Sequence, residues 1–164
     1  LYAVVDSSSD LAVFTDFASS NMTDATVAAS KRITVEGIVR THGLDFDGDT
    51  MIMTDIAAAS GGDFDTDGAF HVISDFESKF DAVENGGTLS VTNQIRYEGS
   101  ATLLGNPVNV VYDADTDAVY VAELANGGGQ VLAYGNVSTN GGGNVAPSSA
   151  ASLAGVSSLY LYKD

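Results

Sequence analysis

The feature that most constrains this chain is an order of short apolar runs that occurs twice. The first series is Arg32-Ile-Thr-Val-Glu-Gly37, Gly43-Leu-Asp-Phe-Asp47, Thr50-Met-Ile-Met-Thr-Asp55 and His71-Val-Ile73. The second is Gln94-Ile-Arg-Tyr-Glu-Gly99, Val108-Asn-Val-Val-Tyr-Asp113, Ala118-Val-Tyr-Val-Ala-Glu123 and Gln130-Val-Leu132. Glu36-Gly37 falls on Glu98-Gly99, Asp49 on Asp117, and Asp55 on Glu123. The runs are rich in Val, Ile, Tyr, Phe and Thr and bounded by Gly, Asn, Asp and Ser, which is the pattern of β-strands joined by tight turns. Each series reads as one unit of four antiparallel strands, and a repeated unit buries its faces against its neighbours.

Further strands are expected at Leu1–Val5, Leu11–Thr15, Leu89–Thr92 and Ser158–Tyr162. Asp47-Gly48-Asp49 and Asp113 to Asp117 read as hairpin tips, where Gly and Asp accept positive φ. Helix signals are poor, because few segments carry apolar residues at three-four spacing over three turns. Ser19–Ser30 and Asp75–Val83 are the two short candidates. The expected organisation is one all-β domain over 1–164, with repeat units at about 32–75 and 94–135 and terminal strands at 1–15 and 158–162. Ser158-Leu-Tyr-Leu-Tyr162 matches Ala118-Val-Tyr-Val-Ala122, so the chain is expected to start inside one unit and stop inside another.

Composition narrows the function classes. The 164 residues carry 22 Asp or Glu against 6 Lys or Arg, a formal net charge of −16. Phosphate binding needs clustered cations, so nucleic acid is not an expected partner. No apolar run reaches the ~18 residues of a membrane-spanning helix, so no membrane insertion is expected. With no cysteine, disulfides, thiolate metal sites and Cys nucleophiles are all excluded. Ser, Thr, Asn, Gly and Asp dominate the polar residues, the first residue is Leu1, and an acidic coat of this kind keeps a protein soluble in a salty medium. The expected location is secreted or cell-surface.

The segment Asn106-Pro-Val-Asn-Val-Val-Tyr-Asp-Ala-Asp-Thr-Asp-Ala-Val-Tyr-Val-Ala-Glu123, continued by Gln130-Val-Leu-Ala-Tyr134, resembles a blade of the NHL-type and related six- or seven-bladed β-propellers. His42–Asp55 matches less closely, with a shorter turn and no Pro. The resemblance implies four-stranded antiparallel blades arranged as an incomplete propeller, since complete ones close with about four to eight blades. A β-sandwich is the alternative fold. Members of such families bind, scaffold or catalyse, so the fold leaves the activity open.

Asp63-Phe-Asp-Thr-Asp-Gly68 is the candidate metal site. Alternate carboxylates converge on a hard cation and Gly permits the sharp turn, so Asp63, Asp65 and Asp67 are candidate calcium ligands, with the Ala69 carbonyl beside them. The pattern then departs from known loops: Ser74 stands at position twelve of an EF-hand count and His71 at position nine of a shorter loop, which leaves Asp75 or Glu77 to complete the shell. Asp45, Asp47 and Asp49 form a second alternating acidic set, and Asp113, Asp115 and Asp117 a third, both at expected turns. His42 and His71 are the only histidines and lack zinc spacing. No Gly-x-Ser-x-Gly elbow or phosphate loop occurs. The tyrosines at 97, 112, 120, 134, 160 and 162 read as strand residues packing across strands.

The expected function is that of an exported or cell-surface structural β-protein, with enzyme activity not expected, that self-assembles into a filament or ring through incomplete sheet ends. Its expected partners are further copies of itself or further blades of the same protein. The alternatives are a ligand- or protein-binding piece of a larger propeller, and a calcium-containing propeller hydrolase.

Overall fold

A computed structural model describes residues 1–20, 23–57 and 66–163. They form an all-β fold of three four-stranded sheets, none of them closed. Sheet I contains β1 (Tyr2–Val4), β2 (Asp10–Val13), β3 (Lys31–Val35) and the short β7 (Thr88–Leu89). Sheet II contains β4 (Leu44–Asp47), β5 (Thr50–Asp55), β6 (Ala69–Ser74) and β8 (Ile95–Glu98). Sheet III contains β9 (Pro107–Asp113), β10 (Ala118–Glu123), β11 (Gln130–Gly135) and β12 (Ser149–Ser152). All pairings are antiparallel except β3 with β7. This is the all-β, blade-like architecture expected from the strand pattern.

The sheets stack in chain order, and sheet II lies in the middle. Its two inner strands are therefore covered on both faces: β5 is buried throughout and β6 in all but its last residue. Alternate residues of a strand point to opposite faces. Met51, Met53 and Ile73 accordingly pack with Leu11, Ile33, Val35 and Leu89 of sheet I, whereas Ile52, Phe70, Val72 and Tyr97 pack with Val110, Val119, Val121 and Leu132 of sheet III. Two separate apolar seams result. The I–II seam also takes in Phe76 and Phe80 of the short helix α2 (Phe76–Asp81).

The repeat survives in the coordinates down to single hydrogen bonds. Asp49 and Asp117 both take positive φ, 65° and 51°. The Asp49 carbonyl accepts from Phe76 N–H and its carboxylate from Glu77 N–H; the Asp117 carbonyl accepts from Val137 N–H and its carboxylate from Ser138 N–H. The preceding residues, Asp75 and Asn136, share a left-handed backbone with φ 50° and 54°. The grouping into sheets differs from the expected units by one strand. Arg32–Gly37 opens the first sequence unit but its strand lies in sheet I, and Gln94–Gly99 opens the second but its strand closes sheet II. A repeat alignment fixes equivalence, not the point at which the repeating series is cut.

Three local expectations are corrected. Of the expected helix Ser19–Ser30, Ser19 and Ser20 close the four-residue helix α1 (Phe17–Ser20) and residues 23–30 are not helical; nearly all of these residues are exposed, and a short helix without a buried face gains no tertiary support. Leu89–Thr92 is a two-residue strand running into a 3-10 turn at Val91–Asn93. Ser158–Tyr162 joins no ladder and does not stand where Ala118–Ala122 stands; its place is described below.

Candidate functional site

The acids singled out in the sequence separate into three groups. Asp63 and Asp65 lie outside the described residues, and Asp67 is half-buried just before β6. Among the described residues no cluster of three metal-ligating side chains occurs. Asp45 and Asp47 are instead bound to backbone: Asp45 Oδ2 accepts from Tyr112 N–H at 2.7 Å and Asp47 Oδ2 from Ala114 N–H at 3.0 Å. Asp113 bonds within its own turn, to Asp115 N–H and the Thr116 hydroxyl.

Asp55 and Glu123 are fully buried carboxylates that grip the chain where it passes from one sheet to the next. Asp55 Oδ1 accepts from the amides of Val39, Arg40 and Ala57, and Oδ2 faces Arg96 at 3.3 Å. Glu123 Oε1 accepts from Asn106, Ala125 and Asn126, and Oε2 from Gly105. A buried charge is tolerable only when its lone pairs are taken up in this way. Residues 39–40 link sheet I to sheet II, and 105–106 link sheet II to sheet III, so each carboxylate fixes one crossing.

His71 is buried in the I–II seam. Gln94 gives its amide hydrogens to the carbonyls of Glu36, Leu89 and Ser90, which leaves Gln94 Oε1 as an acceptor for His71 Nδ1 at 2.6 Å. Nδ1 therefore carries the proton and the ring is neutral. Burial pushes its pKa down to about 4 despite the Gln94 bond, and the Arg96 charge adds to the fall. His42 lies at the surface, 3.1 Å from Asp6, whose carboxyl is held down at about 2 mainly by its bond to Arg40.

Each end of the stack leaves strand groups without a ladder partner among the described residues. In sheet II, Thr54 N–H bonds Gly43 O, so Thr54, Ile52 and Thr50 direct their amides to the first strand β4. In sheet I, Phe14 N–H bonds Leu1 O and Val5 N–H bonds Asp10 O, so Leu1, Ala3 and Val5 face β2. Tyr2 and Val4 direct their backbone groups the other way, to an edge where no described residue pairs. Sheets II and III have β4 and β9 at that position. Aligning Ile33 with Ile95 brings Leu11 onto Val72 and Val4 onto Ile52, which makes β1 the counterpart of β5 and β10.

Beyond sheet III, residues 157–163 run alongside β9 in the same direction. Leu159 N–H bonds Asn109 Oδ1 at 2.8 Å, and Lys163 Nζ reaches Asp113 at 2.8 Å, Asp47 at 2.8 Å and Asp115 at 3.4 Å. Those bonds hold the Asp47 and Asp113 carboxyls below the usual range and raise the Lys163 ammonium. Leu159 and Leu161 are half-buried against Val111, Tyr120 and Val131, whereas Tyr160 and Tyr162 are 85% and 72% exposed. β4 and β9 share this side-by-side relation. They approach so closely that a side chain on Gly43 would sit 2.9 Å from the Asn109 Cα. In that junction Tyr112 N–H bonds the side chain of Asp45, which precedes Phe46, the counterpart of Tyr112. Leu159 N–H on Asn109 repeats this step and makes Leu159 the counterpart of Val110. The terminal segment thus occupies a first-strand position against sheet III.

No protein-family model matches the chain, and no curated protein matches it.

Proposed function

We propose that this protein is an exported or cell-surface structural subunit that assembles with further copies through the open ends of its sheet stack. The observation that carries the reading is the mismatch of those ends: among the described residues no strand pairs with the outer edge of β1, and residues 157–163 lie in a first-strand position without a ladder partner. An open edge is a template for another strand, and stacked repeat units need cover on their terminal faces. The blade-like sheets and the resemblance of residues 106–134 to propeller blades support a ring or filament of such units. An acidic composition whose polar residues are mostly Ser, Thr, Asn, Gly and Asp supports export.

The strand-like placement of 157–163 also favours a second reading, a binding piece of a larger propeller in which further chain supplies the neighbouring blades. Light scattering coupled to size exclusion, with negative-stain imaging, separates the two. Assembly is expected, and it strengthens with salt because copies of net charge −16 repel one another at low ionic strength. A monomer at every salt and protein concentration overturns the first reading.

A further inference from the structure

We infer that residues 157–163 of one copy add as the first strand to sheet I of a second copy, and that two copies joined in this way close a six-sheet ring. The inference rests on the self-assembly reading above and specifies its partner, register and stoichiometry.

Register follows from the internal equivalences. In sheets II and III the first strand pairs as Asp45↔Ile52 and Val111↔Tyr120. Leu159 matches Val110, so Tyr160 matches Val111 and Asp45; Val4 matches Ile52 and Tyr120. Tyr160 therefore pairs with Val4, Leu161 with Ala3 and Tyr162 with Tyr2, antiparallel. Tyr2 and Val4 are the residues whose backbone groups face the free edge, and the incoming segment has its own ladder groups to give: no strand pairs with it among the described residues.

The side chains agree with this register. Cross-strand partners share a face. Tyr160 and Tyr162 then lie on the face of Val4 and Tyr2, the face that packs against sheet II, where the Tyr2 ring lies 5.5 Å from that of Phe46 on β4. Leu159 and Leu161 keep their contacts on sheet III of their own copy, and the small Ala3 and Ala12 of the partner come to face Val111 and Tyr120.

Stoichiometry follows from the stack. Sheets I and III lie on opposite sides of sheet II, so a copy of three sheets presents its free edge and its terminal segment at opposite ends. Head-to-tail contacts of this kind make a ring when the rotation closes and a filament when it does not. Three sheets fall short of the four to eight that close a propeller, and two copies supply six.

The test uses cysteine pairs, since the chain has no cysteine of its own. Ala3 and Leu161 form a non-hydrogen-bonded antiparallel pair, whose Cα spacing of about 4.5 Å suits a disulfide. Two separate chains, Ala3→Cys and Leu161→Cys, are mixed under mild oxidation and run on a non-reducing gel, and the unmodified chain is sized by light scattering. A covalent pair containing one of each variant, with an unmodified particle of twice the chain mass, is expected. The doubly substituted chain then yields cross-linked dimer without a ladder. A ladder, or a particle of three or more copies, overturns the six-sheet ring and leaves self-assembly standing. A two-copy particle that fails to cross-link overturns the register. A stable monomer, the result when another segment of a longer chain occupies β1, overturns both readings.

Discussion

The two seams of the stack have the same strand geometry and different chemistry. Between sheets II and III the large side chains are tyrosines whose hydroxyls are spoken for: Tyr97 donates to Val137 O, Tyr134 to Thr102 O and Tyr112 to Asp117. Burial raises all three phenols, Tyr97 to about 12. Phe70 stacks on Tyr97 at 4.5 Å and meets Tyr134 edge-on at 5.0 Å. Between sheets I and II the large side chains are Met51, Met53, Phe76 and Phe80, with Phe46 beside them, and the polar contacts come from the His71–Gln94 pair. Tyr97 and Tyr134, bonded to backbone carbonyls across the junction, hold sheets II and III at a set distance, whereas Tyr112 bonds within its own hairpin. Among the described residues the methionine- and phenylalanine-rich seam has no aromatic hydroxyl in that role: its polar tie runs from His71 through Gln94 to the carbonyls of Glu36, Leu89 and Ser90, and its thioethers adapt to irregular gaps. The contrast teaches that one repeated backbone can be locked by polar tips in one place and filled by pliable side chains in another.

Four measurements test the contrast between the seams. The largest effect is expected at Phe70→Ala, a fully buried ring in the II–III seam, with a loss of about 4 kcal/mol in urea unfolding; Phe80→Ala, 7% exposed at the end of the other seam, costs about 2 kcal/mol. Equal losses would show that the two seams are equally tight.

Next comes pH. His71 titrates at about 4 in the folded chain against an ordinary 6.5. Above pH 6.5 the ring is neutral in both states. Between pH 6.5 and about 4 the unfolded chain takes up a proton that the folded chain refuses, so stability falls across that window by up to about 3 kcal/mol. The His71→Gln variant loses this slope. A wild-type profile parallel to that of the variant would remove the histidine from the account.

The carboxylate grips give a smaller difference. Glu123→Gln places an NH2 against one of four backbone amides and costs about 3 kcal/mol, whereas in Asp55→Asn the remaining oxygen still serves three amides and Arg96 keeps its 2.7 Å bond to Glu98, so about 1 kcal/mol is lost. Thermal melts of the two variants read the difference. The smallest change in global stability belongs to Lys163→Ala, because exposed ion pairs contribute little. Its expected signature is local: faster amide exchange at Leu159 with an unchanged melting temperature.

Much of the fold could be read from the residues because the repeat carried its own controls. Asp49 with Asp117 and Asp55 with Glu123 were matched by position alone, and each pair proves to make equivalent bonds. Nothing in the sequence marked the matched strand-end acids Asp55 and Glu123 as buried, since a carboxylate's burial depends on amides brought to it from another part of the chain. β12 left no signal: Ser149-Ala-Ala-Ser152 has little strand preference and pairs because β11 has a free side. The segment at 158–162 shows why pattern stops short of place. Alternation fixes which residues share a face, and the same alternation suits the first strand of a sheet as well as the second. Only the bond from Leu159 to Asn109 distinguishes them.

The acids Asp45 and Asp47 have one more consequence. By taking the Tyr112 and Ala114 amides, their side chains plug donors that β9 would otherwise offer to any passing backbone. A stray peptide must first evict two carboxylates there, whereas the margin beside Tyr2 and Val4 carries no such stopper. Adhesion is thereby given a direction, and a chain built largely from sheet is steered away from indiscriminate clumping.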